Sequence, residues 1–172
     1  MRGDPVTPSR AACEATQQRA RARYRAAVAT RISYKTFVIE RLVAAPRDVV
    51  WRELLALVGA GGYSVEGDPA PHGPGAQVRF HLGDYALTEE TLSLEPPWRR
   101  CYAVIEGAPV ALYQGTATIR DDGATCLLVW SYLADPGGDE RADAFLERAQ
   151  QALSTAVERI ATAAEAAVSP ST

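Results

Sequence analysis

Lysine is almost missing from this chain: Lys35 stands alone beside seventeen arginines. That imbalance reads as the codon bias of a GC-rich bacterial genome and carries no functional weight. Cysteine is scarce as well. Cys13, Cys101 and Cys126 are odd in number and show no C-x-x-C spacing, which argues against a disulfide framework and against a zinc site. Cys101 and Cys126 fall inside strand-like runs, where a free thiol behaves as a small hydrophobe, and a reducing cytoplasm is the compartment expected. No apolar run reaches the ~18 residues that a membrane-spanning helix needs, and no short apolar stretch follows the first basic residues as a secretory signal requires. The two histidines, His72 and His81, have no plausible nucleophile in their neighbourhoods, so no Ser–His–Asp or Cys–His arrangement can be assembled. Gly59-Ala60-Gly61-Gly62 follows a helical pattern instead of opening a helix after a strand, so it is not a phosphate loop. With no His-Glu-x-x-His and no acidic calcium loop, neither cofactor nor metal chemistry is expected.

What the chain does have is an uneven distribution of charge. The formal net charge is −3, yet residues 1–31 hold seven Arg against Asp4 and Glu14 while the remainder is acidic. An acidic body lacks the basic footprint of a nucleic-acid-binding protein. Residues 1–8, with Gly3, Pro5 and Pro8, are expected to be disordered, and Ser9 is placed to cap a helix running to about Thr30. Arg19, Arg21, Arg23 and Arg25 are spaced by two and so spread around that helix. Three readings of this extension stand side by side: a solvated appendage, a basic surface for anionic lipid or an acidic protein, and a segment with the composition of an organelle transit peptide.

From Arg141 onward the pattern changes to a long amphipathic helix. Ala142, Phe145, Leu146, Ala149, Ala152, Leu153, Ala156, Val157, Ile160, Ala163, Ala164 and Ala167 fall on an i, i+3, i+4, i+7 stripe. The stripe is rich in Ala, so the helix can sit close to a sheet or span a cavity without filling it. The region from Phe37 to Asp135 alternates like strands, apart from a helix over about Arg47–Val58 that Pro46 introduces and the glycines from Gly59 end. Tyr63–Val65 is expected to add one short turn. Strands are expected near residues 34–43, 77–82, 85–94, 100–106, 110–119 and 124–133, with Asp122-Gly123 marking a hairpin. One lone helix burying its stripe against a curved antiparallel sheet is an α+β architecture.

Three stretches sharpen this order. Ala45-Pro46-Arg47-Asp48-Val49-Val50-Trp51 resembles the helix start, Leu94-Glu95-Pro96-Pro97-Trp98-Arg99-Arg100-Cys101-Tyr102 the turn between the third and fourth strands, and Thr125-Cys126-Leu127-Leu128-Val129-Trp130-Ser131 the penultimate element of the START-like, or SRPBCC, superfamily. The resemblance covers about residues 34–167 and is nearest to the polyketide cyclase/dehydrase branch. It implies a helix-grip fold, in which a curved sheet wraps a long C-terminal helix around an apolar cavity. The expected organisation is an Arg/Ala-rich extension over residues 1–33, the helix-grip domain over 34–167, and a disordered tail over 168–172.

The motifs that match are structural, and none brings a catalytic residue with it. Candidates for the cavity wall therefore come from strand parity. Val78, Phe80 and Leu82 share one face and should point inward, leaving His81 in solvent. Glu89, Glu90 and Glu106 are the acidic candidates. Leu92 and Leu94 share parity with Glu90, which places Glu90 and Leu92 on the wall if no bulge intervenes. Tyr102, Tyr113, Trp130 and Tyr132 are aromatics with polar tips, suited to orienting a mostly apolar ligand. Phe145, Ala149, Ala152 and Ala156 complete the expected wall from the helix, with Ala163 as a further small residue along it. The mouth is expected between residues 72–75, residues 107–109 and the long helix. The leading functional expectation is a soluble module that binds a lipid, polyketide or isoprenoid-like ligand. A cyclase/aromatase-type enzyme using the same cavity is the alternative, and a protein- or membrane-interaction domain acting through the N-terminal helix is the second.

Overall fold

Pro46 divides the first strand from the first helix. Its backbone is extended at φ −61° and ψ 146°, and its carbonyl accepts from the Val49 and Val50 amides at 3.0 and 3.2 Å. In the computed structural model, which describes residues 32–122 and 125–169, β1 (Lys35–Val43) therefore passes directly into α1 (Arg47–Val58). Val50, Trp51 and Leu54 form the buried face of α1. Gly59 ends it, its amide donating to the Leu55 carbonyl at 2.9 Å, and Gly62 turns the chain at φ +79°, a conformation that an L side chain rarely adopts.

Tyr63–Val65 is not the short helical turn expected. It is β2, paired antiparallel with β3 (Gln77–Leu82), Tyr63 lying opposite Val78. An aromatic and a β-branched residue flank Ser64, whose hydroxyl donates to the Gln77 carbonyl, and these preferences favour the strand. The chain then meanders through β4 (Tyr85–Glu95), β5 (Arg99–Glu106), β6 (Leu112–Asp122) and β7 (Thr125–Asp135). A hairpin does join β6 and β7, but Asp122 pairs with Thr125, so Asp122 belongs to the strand and not to the turn expected at Asp122-Gly123; the two intervening residues lie outside the described residues.

All seven strands form one antiparallel sheet in the order β1-β7-β6-β5-β4-β3-β2. The two edge strands are thus neighbours in sequence, and α1 carries the chain between them. The long helix α2 (Ala142–Val168) packs against α1, β1, β3 and β7. Lys35 pairs with Asp143 at one end of β1, and the Ala44 amide donates to Glu165 Oε1 just past the other end. Nine strand residues and the helix between those contacts each span about 30 Å, so α2 runs beside β1 in the same direction. This is the helix-grip fold.

The two sequence stretches on either side of the sheet end meet in space. The Arg47 guanidinium lies 3.3 Å from the centre of the Trp98 ring and pairs with Asp121. That contact ties the start of α1 to the Pro96-Pro97 turn. Cys126 is fully buried and Cys101 half-buried, both as free thiols. The expected stripe on α2 needs one correction. Ala163 is exposed, as is Ala167, and Ala161 is buried instead. The contact face drifts around the helix toward its C-terminal end, so residues that share a nominal stripe do not all meet the core. The extension over residues 1–31, with its expected helix and basic surface, and the final residues 170–172 lie outside the described residues.

Candidate functional site

Between the concave face of the sheet and the middle of α2 lies a cavity of about 350 Å³. Its side walls are apolar. Val78, Phe80 and Leu82 of β3, Leu87 of β4 and Val104 of β5 face Ala149, Ala152, Leu153 and Ala156 of α2. Leu57 and Val58 from the end of α1 close a third side. The exposed members of the lining are Ala60, Gly61, Gly62, Arg79, Phe80 and Ala152, which places the opening between the α1–β2 connection, the β3 edge and the helix. The mouth expected at residues 72–75 and 107–109 is not there. Because Tyr63–Val65 extends the sheet by one strand, the glycine-rich link before it borders the cavity and the longer Pro/Gly loop lies beyond it. His72 in that loop packs against Tyr63, ring centres 4.6 Å apart and tilted by 50°, instead of lining the cavity.

The floor is polar and almost sealed. Tyr102, Tyr113, Trp130 and Phe145 come together there, none more than 4% exposed. Trp130 Nε1 donates to the Tyr102 hydroxyl at 2.9 Å, and the Tyr113 hydroxyl bonds to the same group. Burial raises the pKa of both phenols far above the ordinary value, so they act only in their neutral forms. Gly115 makes this packing feasible. It lies directly across the strand pair from Tyr102, and a Cβ at that position would stand 2.1 Å from the Tyr102 ring.

A buried ion pair completes the floor. Arg100 Nη2 donates to Glu89 Oε1 at 2.6 Å and to Thr91 Oγ1 at 3.1 Å, with Arg100 only 2% exposed. Arg100 also lies 4.9 Å from the Tyr102 ring centre. Glu89 belongs to the cavity wall, and its Oε2 has no hydrogen-bond partner among the described residues. Burial pushes the Glu89 carboxyl up, against the opposing pull of Arg100. A carboxylate held this way in an apolar chamber can accept a hydrogen bond or a proton from a bound molecule. Among the described residues no group of three or more His, Cys, Asp or Glu side chains is arranged to hold a metal ion.

Of the residues expected at the site, Phe80, Tyr102, Tyr113, Trp130, Phe145, Ala149, Ala152 and Ala156 stand on this wall. Three do not. Glu90 faces the other side of the sheet, where Gln77 Nε2 donates to its Oε2 at 2.8 Å. Leu92 is 42% exposed because it is the extra residue of a bulge: Thr91 and Ser93 pair with the consecutive Tyr102 and Cys101. The bulge switches parity, so Thr91 and Leu94 both point inward, Leu94 no longer shares a face with Glu90, and Leu92 stays outside with Glu90. Tyr132 is buried but lies behind the cavity, stacked on Tyr113 at 4.9 Å, with its hydroxyl accepting from Gln150 at 3.0 Å. Glu89 is the residue that parity reasoning passed over. The signal was on the next strand, where Arg100 shares the inward parity of Tyr102 and needs an acid beside it. His81 is exposed, as expected.

No family model and no curated protein matches the sequence. Among solved structures, the chain is similar to a point mutant of norcoclaurine synthase from Thalictrum flavum in complex with a transition-state analogue. The TM-score is 0.60 at 18% identity, over 80% of this chain and 98% of that one. The di-domain ARO/CYC BexL from the BE-7585A biosynthetic pathway aligns with a TM-score of 0.57 at 15% identity, over 92% of this chain and 60% of that one. Ara h 8.0201 aligns with a TM-score of 0.57 at 14% identity, over 79% of this chain and 98% of that one. Likeness at such identities shows the helix-grip fold and nothing of the chemistry.

Proposed function

We propose that this protein binds a small, mostly apolar ligand in the cavity between sheet and helix. The observation that carries this reading is a chamber of about 350 Å³ with apolar sides, whose buried polar groups are gathered at the floor while Arg79 stands at the mouth. A core without a ligand role would fill such a space, since each void of that size forfeits packing contacts. The volume falls within the usual range of roughly 300–1,000 Å³ for small-ligand sites. Phe80, Tyr102, Tyr113, Trp130, Phe145, Ala149, Ala152 and Ala156 are the contacts we assign to the ligand, joined by Glu89. Phenylnaphthylamine, a neutral apolar fluorophore, should bind at near one-to-one stoichiometry and quench Trp130. Ala152→Leu should weaken that binding while leaving the fold intact. A protein that takes up no such probe has a cavity without a binding role.

Glu89 supports a second reading, a cyclase-type enzyme. A carboxylate with a raised pKa, beside neutral phenols in an apolar chamber, is suited to removing a proton from carbon next to a carbonyl. Solvent deuterium should then enter the methyl group of acetylnaphthalene faster with the protein than without it, and Glu89→Gln should remove the difference. If exchange is no faster than in buffer, the protein is a binder.

A further inference from the structure

The polar groups at the cavity floor are not equally available to a ligand. The Tyr102 and Tyr113 hydroxyls and Trp130 Nε1 already bond to one another. Arg100 donates through Nη2 to Glu89 and Thr91, and although its Nη1 has no partner among the described residues, the side chain does not border the cavity. Glu89 Oε2 is thus the open acceptor of the floor among the described residues, beside one phenol proton of the Tyr102–Tyr113 pair that no acceptor takes. A ligand head that bonds to the carboxylate must bring a donor, because an acceptor placed against it would leave two groups desolvated without a bond.

Charge decides which kind of donor. Glu89 is already neutralised by Arg100 at 2.6 Å. An ammonium would add a second buried cation to that pair, close to Arg100 and with little solvent to screen it. An anionic head would meet the carboxylate itself. A neutral O–H group adds one hydrogen bond and no charge.

Resting on the ligand-binding reading above, we propose that the ligand enters with a neutral hydroxyl first, a phenol or an alcohol, which donates to Glu89 Oε2 while its apolar body lies between Phe80 and the α2 alanines. Glu89 is thus the specificity-determining residue of the cavity.

A set of probes on one ring system tests this in the unmodified protein. Naphthol should bind about tenfold or more tightly than methoxynaphthalene, which keeps the oxygen but has no proton to donate, as expected for a hydrogen bond to a charged acceptor. Naphthylmethylamine, cationic at neutral pH, should bind at least about tenfold more weakly than naphthol. In Glu89→Gln, the amide keeps an oxygen for Arg100 and turns a donor toward the cavity, from which naphthol and methoxynaphthalene can both accept, so the preference for naphthol should vanish. A loss of packing alone would weaken all the probes together and keep the preference. If naphthalene binds but naphthol gains nothing over methoxynaphthalene, or the amine binds most tightly, the head-group assignment is wrong and the cavity reading survives. If no member of the series binds, both fall.

Discussion

Where α2 presents Val157, Ile160, Ala161 and Ala164, each side chain is 2% exposed or less, and α1 contributes Val50 and Leu54 at 0%. One or two turns earlier the same helix presents Ala149, Ala152, Leu153 and Ala156, and there it borders an open chamber. Alanine occurs in both regions, so a small side chain does not by itself make a cavity. The surface opposite decides. Near its C-terminal end α2 meets a second helix and the β1–α1 junction, where alanine permits close approach. At mid-length it meets the concavity of a twisted sheet whose aromatics are braced against one another, with Tyr113 in contact with Tyr102, Tyr132 and Phe145. The rings cannot collapse into the space that the alanines leave.

The most severe way to break this contrast is to hollow out the packed region. Trp51→Ala should cost on the order of 3–5 kcal/mol in urea unfolding, the range for truncating a buried large aromatic. An unchanged midpoint would mean that the α1 region is not packed as described. Overfilling sharpens the comparison. Ala161→Leu should destabilise by ~1–3 kcal/mol, whereas Ala156→Leu should leave stability within about 1 kcal/mol and instead weaken phenylnaphthylamine binding. Equal stability costs at the two positions would erase the distinction between the regions.

Gly115→Ala should act between the two. The new Cβ stands 2.1 Å from the Tyr102 ring, so the ring must tilt into the chamber. We expect a stability loss of ~1–3 kcal/mol, a reduced capacity for bulky probes and a broken Trp130–Tyr102 bond, visible as a shift in Trp fluorescence. The smallest effect is one of pH. Glu89 has a raised pKa, so it takes up a proton at a higher pH than an ordinary carboxyl. As pH falls through that value the acceptor is lost, and the preference for naphthol over methoxynaphthalene should shrink while naphthalene binding holds. The nearby phenols remain neutral throughout. A preference that persists to pH values below the ordinary carboxylate range would move the recognition away from Glu89.

Much of the architecture was legible because it rests on periodicity. The alternation of Val78, Phe80 and Leu82, the Pro46 entry to α1 and the stripe on α2 are written in residue type. What escaped has no local mark. The Thr91–Ser93 bulge contains neither Gly nor Pro, and one extra residue there reverses the facing of β4, so Glu89 and not Glu90 reaches the cavity. The β2 strand is three residues long, too short for alternation to distinguish it from a turn, yet its presence moves the cavity mouth. Ala163 and Ala161 differ only in which neighbour α2 meets, a tertiary fact. Tyr132 shows the opposite limit: its inward parity was readable, but not the layer of aromatics that hides it from the cavity.

The strand order also sets a schedule. From β2 to β7 every strand pairs with the next one along the chain, but β1 pairs with β7, joining Lys35 to Ala134 across about a hundred residues. During synthesis β1 and the apolar face of α1 emerge early and must wait for the last strand and the helix after it before they can be covered. A nascent chain that stops short of residue 125 carries an unpaired edge strand with Val38 and Leu42 along it, both about half exposed even in the finished fold. The sheet therefore closes only once its last strand, β7, has been made.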